Sequence, residues 1–276
     1  MRVFCIFVAD MDYTLNCNGR LLDLSTPQVM GILNVTPDSF YEGSRKQTEE
    51  EIVQRIRQIQ TEGGGIIDIG GCSTRPGADC ATEAEEMERL RFALGIVRKE
   101  APDAVVSVDT FRPDVARMAV EEYGVSIIND VSEGADERMF RTVARLGVVY
   151  VLTSVQPVMR EMLLHFAREV DMLRSLGQKD IILDPGFGFG KTLEQNYEVM
   201  RQIEQLQMLH LPLLVGISRK SMIYKLLEQE PSQALNGTTV LNTVALMKGA
   251  SILRVHDVRE AVECVRIVTA MSSQYR

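Results

Sequence analysis

The chain has 276 residues, 45% of them hydrophobic, which suits one large α/β domain, although length alone also permits two. Its formal charge of -8 leaves no basic face to dominate. That argues against a nucleic-acid binder but not against a local anion site.

In chain order, residues 1–27 stand apart from the rest of the chain. Val3 to Ala9 is apolar but only seven residues long, and Asp10 and Asp12 come after it, so no signal peptide is expected. Asn18-Gly19 is a strong hairpin signal, flanked by Thr14-Leu15 and Leu21-Leu22. From Val29 onward, eight apolar runs each meet a polar residue. Val29–Leu33 runs into Asn34, Gly65–Ile67 into Asp68, Ala104–Val108 into Asp109, and Val125–Ile128 into Asn129. Val148–Leu152 runs into Thr153, Ile181–Leu183 into Asp184, Leu213–Ile217 into Ser218, and Ser251–Leu253 into Arg254. A parallel strand buried on both faces is apolar along its length.

Helical signals separate these runs. Thr48-Glu49-Glu50-Glu51 and Thr82-Glu83-Ala84-Glu85 read as capping boxes, and Thr192-Leu193-Glu194-Gln195 repeats the pattern with Gln. Ile52, Ile56 and Ile59 share one helical face between Glu51 and Glu62. Pro113 suits a first helical turn. Further helices are predicted near 136–146, 158–176, 192–209, 219–248 (broken near Pro231) and 257–272. No stretch approaches the ~20 apolar residues of a membrane-spanning helix.

Eight strand–helix units in ~250 residues predict a (β/α)8 TIM barrel, with its chemistry at the C-terminal ends of the strands. A doubly wound open sheet would usually place a Gly-rich phosphate turn after the first strand. Here that position reads Asn34-Val35-Thr36-Pro37. The expectation is a single domain, 1–276, whose N-terminal β-hairpin (within 1–27) covers the barrel bottom. The five cysteines, Cys5, Cys17, Cys72, Cys80 and Cys264, are odd in number and none are spaced for zinc. Free thiols in a reducing, cytoplasmic setting are expected.

The run Asp184-Pro185-Gly186-Phe187-Gly188-Phe189-Gly190-Lys191-Thr192 resembles a phosphate loop, but Pro185 occupies the position where that loop needs its first Gly. Either the backbone wraps closely around a flat ligand on which Phe187 stacks, or the run is a turn into a helix. Asp68, Asp109, Asn129 and Asp184 all point toward one mouth. Clustered carboxylates are costly to desolvate, and no His stands at metal-ligand spacing beside them. A ligand rich in N–H donors, such as an amino-pyrimidine ring, would satisfy them; each Asp alone also reads as a helix cap. Ser218-Arg219-Lys220-Ser221 and Arg254-Val255-His256 come after the last two strands, the usual phosphate site of such barrels. Ser73-Thr74-Arg75-Pro76-Gly77 adds hydroxyl and Arg groups after the second strand. His165 and His210 read as structural, and nothing near Cys72 forms an acid–base pair with it.

These segments resemble the dihydropteroate synthases over nearly the whole chain from Val29. The motifs are Met30 to Phe40, Ser73-Thr74-Arg75-Pro76-Gly77-Ala78, Val108-Asp109-Thr110, Asn129-Asp130-Val131-Ser132, Asp184 to Phe189, Ser218-Arg219-Lys220-Ser221 and Arg254-Val255-His256-Asp257-Val258. The resemblance implies a transferase of folate biosynthesis. It would condense 6-hydroxymethyl-7,8-dihydropterin pyrophosphate with 4-aminobenzoate and release pyrophosphate. Asp109, Asn129, Asp184 and Lys220 would hold the pterin. Thr74, Arg254 and His256 would hold the pyrophosphate, and Asn34 a magnesium ion upon it. Arg75, Phe187, Lys220 and Ser221 would lie near the aminobenzoate. Asp109, Asp184, Lys220 and Arg254 would carry the catalysis. A homodimer through barrel helices is also implied, with no nucleic-acid or membrane partner.

Three positions depart from the family pattern. Cys72 stands in place of Glu, Thr153-Ser154 in place of Met-His, and Tyr41-Glu42-Gly43-Ser44 in place of Ser-Asp-Gly-Gly. Two other readings share the pterin acceptors. One is a methyltransferase acting with a corrinoid protein, which would not need the anion-binding segments. The other is a barrel that binds pterin without catalysis.

Overall fold

The structure is a computed structural model, and it describes residues 13–35, 45–72 and 81–273. Asn18 and Gly19 both adopt left-handed backbone, φ 54° and 83°, as a two-residue type I′ hairpin turn requires. They join β1 (Thr14–Cys17) to β2 (Arg20–Asp23), an antiparallel pair with Cys17 opposite Arg20. Leu15, Cys17 and Leu22 face one way. They pack on Met30, Ile66, Val105, Ile127, Val149, Ile182, Leu214 and Ile252, mostly from the starting ends of the barrel strands. The expected hairpin therefore closes the barrel bottom. Asn18 Nδ2 fastens it by donating to the Gly124 carbonyl at 2.6 Å.

The barrel strands are β3 (Gln28–Asn34), β4 (Ile66–Gly70), β5 (Val105–Asp109), β6 (Ile127–Asp130), β7 (Val149–Thr153), β8 (Ile181–Asp184), β9 (Leu214–Val215) and β10 (Ile252–Val255). All pair in parallel, in the order β8-β7-β6-β5-β4-β3-β10-β9. A parallel bridge between Leu183 and Leu213, with Leu183 N–H donating to Pro212 O at 2.9 Å, joins the two ends. The (β/α)8 expectation holds.

The outer ring comprises α1 (Arg45–Thr61), α2 (Glu83–Glu100), α3 (Pro113–Tyr123), α4 (Arg138–Leu146), α5 (Met159–Ser175), α6 (Leu193–Gln202), α7 (Ser221–Tyr224), α8 (Leu235–Met247) and α9 (Val258–Ser273). The capping boxes at Thr82 and Thr192 form in full. The one at Thr48 does not. α1 already begins at Arg45, and Thr48 is buried, one turn ahead of Ile52 and Ile56 on the core face, so tertiary packing overrides the local cap signal. The helix expected over 219–248 is interrupted for longer than one proline requires: α7 is a single turn and Pro231 opens a 3-10 turn. Among the described residues, no helix is long and apolar enough to cross a membrane.

Four of the eight polar residues are not strand ends: Ser218 lies three residues past β9, and three others lie inside their strands. β4 continues two residues past Asp68, and β6 and β10 each continue one past Asn129 and Arg254. Asp68, Asn129 and Arg254 consequently sit lower in the barrel, where water is scarcer.

Candidate active site

Arg254 organises the centre of the barrel. Its Nε donates to Asp68 Oδ2 at 2.6 Å and its NH2 to Asp109 Oδ2 at 2.7 Å. Asp68 has no exposed surface. Its Oδ1 accepts from Ser107 Oγ at 2.6 Å, and its Oδ2 also accepts from Asn129 Nδ2 at 3.4 Å. Burial pushes the Asp109 carboxyl up to about 7, with Arg254 opposing and Asp68 reinforcing the shift. Burial works against the charge on Arg254, but Asp68 and Asp109 outweigh it and hold the guanidinium protonated. Asn129 Oδ1 is buried without a partner among the described residues.

Asp184 ends β8 and is buried. Its Oδ1 accepts the Gly186 N–H at 2.8 Å. Burial raises its pKa, while Lys220 is the leading influence in the other direction. The glycine-rich run turns here through three left-handed glycines, Gly186, Gly188 and Gly190. At Gly186 a Cβ would collide with the Ser154 carbonyl, so only Gly fits. Lys220 Nζ donates to Phe187 O and sits 4.5 Å from the centre of the Phe189 ring. Burial lowers the Lys220 ammonium to about 8, against the pull of Asp184.

At the opposite rim, Ser218 Oγ accepts the His256 N–H at 3.1 Å and lies 3.1 Å from His256 Nδ1. Burial, then the charge of Arg254, pushes the imidazole down to about 4. Arg55 of α1 joins the upper part of β3 to the residue just past β10. Its Nε donates to Ile32 O at 3.0 Å and its NH2 to His256 O at 2.7 Å. A cavity of about 380 Å³ opens beside it, lined by Asn34, Thr48, Glu51, Arg55 and His256 among others. Arg219 is not part of this site. Its fork is closed on Asp257, at 2.8 Å for both nitrogens.

The structure therefore brings together Asp109, Asn129, Asp184, Lys220 and Arg254 of the expected residues. Asn34 and His256 share the neighbouring cavity, and Ser221 opens α7 directly after Lys220. Thr74 and Arg75 lie outside the described residues. The Phe187 ring is fully buried within the apolar core, so it offers no face for stacking. The partly exposed ring of Phe189 stands beside Lys220 instead. The one-residue alternation of the loop, Gly-Phe-Gly-Phe-Gly, could not say which Phe turns outward. Three contacts had no legible signal in the sequence: Asp68 as the shared acceptor, Arg55 as a bridge, and Glu133. The last accepts from Ser154 Oγ and Val155 N, both at 3.0 Å. Thr153, a departure from the family pattern, pairs in register with Asp184 and is fully buried.

Comparison with known proteins agrees with this geometry. The profile of the pterin binding enzyme family matches residues 30–256. The dihydropteroate synthase of Escherichia coli K12 is 38% identical over 274 residues, covering 94% of this chain and 96% of its own. The crystal structure of 7,8-dihydropteroate synthase from Vibrio fischeri ES114 superposes with a TM-score of 0.87 at 36% identity, covering 95% of this chain and 99% of that one. The Xanthomonas albilineans dihydropteroate synthase with 4-aminobenzoic acid gives a TM-score of 0.86 at 35% identity, covering 95% and 98%. The chain belongs to the dihydropteroate synthase family of pterin-binding enzymes.

Proposed function

We propose that this chain, acting as one pterin-binding domain, condenses 6-hydroxymethyl-7,8-dihydropterin pyrophosphate with 4-aminobenzoate. The products are 7,8-dihydropteroate and pyrophosphate, in the cytosol, as a step of folate synthesis. The observation that carries this reading is the buried set of Asp109, Asn129 and Asp184 facing Lys220. Asp109, Asn129 and Asp184 would accept from the amino and ring N–H groups of the pterin, and Lys220 would donate to its carbonyl. The unpartnered Asn129 Oδ1 supports this, because an orphaned buried acceptor is costly until a ligand donates to it.

The pyrophosphate would lie toward Arg254, His256 and Thr74. Ser218 Oγ accepts the His256 backbone N–H and would give its own hydrogen to Nδ1. The ring proton would then sit on Nε2, where it would donate to a phosphate oxygen. Among the described residues no three His, Cys, Asp or Glu side chains cluster as a metal site. Magnesium needs no such cage, since it binds through few protein oxygens, water and substrate phosphates. The exposed carboxamide of Asn34 fits that role, and a magnesium ion there would offset the charge of the leaving pyrophosphate.

Cleavage of the C–O bond before attack suits these groups. The oxygen leaves with the electron pair, and the positive charge spreads from the CH2 into the ring. Asp109 and Asp184 stabilise that charge electrostatically. The arylamine, neutral at pH 7, then attacks the CH2 and loses a proton to water. This needs no nucleophile or His–carboxylate pair. The aminobenzoate would lie over Phe189, beside Lys220, Ser221 and Arg75. Exposed Val240 and Met247 on α8, and Ile267 and Met271 on α9, support a homodimer through these helices. Incubating the protein with the pterin ester and magnesium alone tests the path. Pyrophosphate release without aminobenzoate is expected, and strict dependence on aminobenzoate would refute the dissociative order.

A further inference from the structure

The Lys191 ammonium makes three hydrogen bonds, all to backbone carbonyls. They are Ser154 at 2.9 Å, Gly186 at 3.0 Å and Phe189 at 3.3 Å. An ammonium has three N–H donors, so this set saturates it. Two of the carbonyls belong to the glycine-rich loop after β8, and the third to the loop after β7. Ser154 is itself a fixed point, because Glu133 accepts from its hydroxyl and from the next backbone N–H.

Besides the buried Phe187 ring and a turn bond from Phe189 N–H to Gly186 O at 3.1 Å, the backbone of this loop depends on a few hydrogen bonds for its shape. Gly186, Gly188 and Gly190 all have positive φ, and residues without a Cβ add no side-chain packing and have the most freedom to lose. Asp184 and Asn196 hold two of its N–H groups, those of Gly186 and Gly188, at 2.8 and 2.7 Å. Lys220 holds its Phe187 carbonyl. In the proposed reaction, however, Lys220 also donates to the pterin carbonyl, so its donors are divided between ligand and loop. Lys191 is the cation whose donors all go to backbone carbonyls.

We propose that Lys191 is a positioning residue. It pins the Gly186–Gly190 loop to Ser154 so that the Phe189 ring keeps its place beside the aminobenzoate while Lys220 serves the ligand. This rests on the proposed synthase activity and extends it to a residue that touches neither substrate. The anchor at Ser154 is a backbone carbonyl, so the Thr153-Ser154 departure from the family pattern does not remove it.

The test is steady-state kinetics of Lys191→Met against the wild type, with thermal melting of both. A wild type that makes no dihydropteroate refutes the activity itself and is read separately. With an active wild type, the variant is expected to raise KM for aminobenzoate about tenfold or more, as loss of charge-assisted hydrogen bonds implies. KM for the pterin ester should change by less than about threefold. Equal increases in both constants, a fall in kcat alone, or no change would overturn the proposal. If Lys191→Met does not fold, Lys191→Arg decides. It keeps charge and length, but a planar fork cannot meet three carbonyls converging on one point. The same selective rise, smaller in size, is expected; wild-type constants would overturn the proposal.

Discussion

Arg254 and Asp68 meet at 2.6 Å across the barrel, although their strands, β10 and β4, are separated by β3. Asp68 is fully buried, and Arg254 and Ser107 both donate to it. The guanidinium assigned to the pyrophosphate is thus built into the carboxylate set assigned to the pterin. A clean division of roles between the two, as the sequence implied, is not expected.

Asp68→Ala should therefore lower stability sharply. It leaves Ser107 Oγ and Arg254 Nε without their acceptor in a buried site, and removing one partner of such a pair costs about 3–5 kcal/mol. Chemical denaturation of the variant checks this. Affinity for free pterin should fall as well, because Asn129 loses its acceptor and Arg254, the partner of Asp109, loses one of its two carboxylates. Stability within about 0.5 kcal/mol of wild type, the range of neutral surface changes, would show that the network is not structural.

Asp109 should make stability and pterin binding respond to pH in opposite directions. Burial raises its pKa from 3.8 to about 7. A raised folded-state pKa means that the native protein binds the extra proton, so this group's stabilising contribution is complete below 3.8 and is lost as pH rises through about 7. Accepting a pterin N–H requires the carboxylate, so affinity should fall as pH drops below about 7. Calorimetry near pH 6 in buffers of different ionisation enthalpy should show proton release on pterin binding. Asp109→Asn should abolish most of it. Unchanged proton release in that variant would assign the titration elsewhere.

His256 should contribute as a neutral donor. With its pKa pushed down to about 4, its charge does not change from about pH 5.5 to about 7.5, unlike an ordinary histidine. The pH profiles of kcat/KM for wild type and His256→Gln should therefore have the same shape, with the variant lower by a constant factor. A limb near the ordinary histidine pKa that disappears in His256→Gln would contradict this.

The strands were legible because burial on both faces leaves each as an unbroken apolar run, and the hairpin because Asn18-Gly19 names its own turn. The polar acceptors Asp109, Asn129 and Asp184 were legible for the same reason, as interruptions of those runs. What failed to show was anything fixed by distance across the barrel. Asp68 sits two residues before the end of β4, and its role depends on an arginine 186 residues away. Lys191 stands out in the sequence only within a failed phosphate-loop match, because its partners are carbonyls, which carry no residue identity. Phe187 and Phe189 have the same sequence surroundings, and only the left-handed turns between them decide which ring is buried. Thr48 shows the reverse error, a local cap signal overruled by the packing of α1.

The most direct measurement is product formation. The purified protein is incubated with 6-hydroxymethyl-7,8-dihydropterin pyrophosphate, magnesium and 4-aminobenzoate, and dihydropteroate and pyrophosphate are quantified alongside an Asp184→Ala control. The account predicts equal amounts of the two products when aminobenzoate is in excess, and neither in the control. Tight binding of pterin by the wild type without any dihydropteroate would contradict it and leave a pterin-binding barrel that does not catalyse.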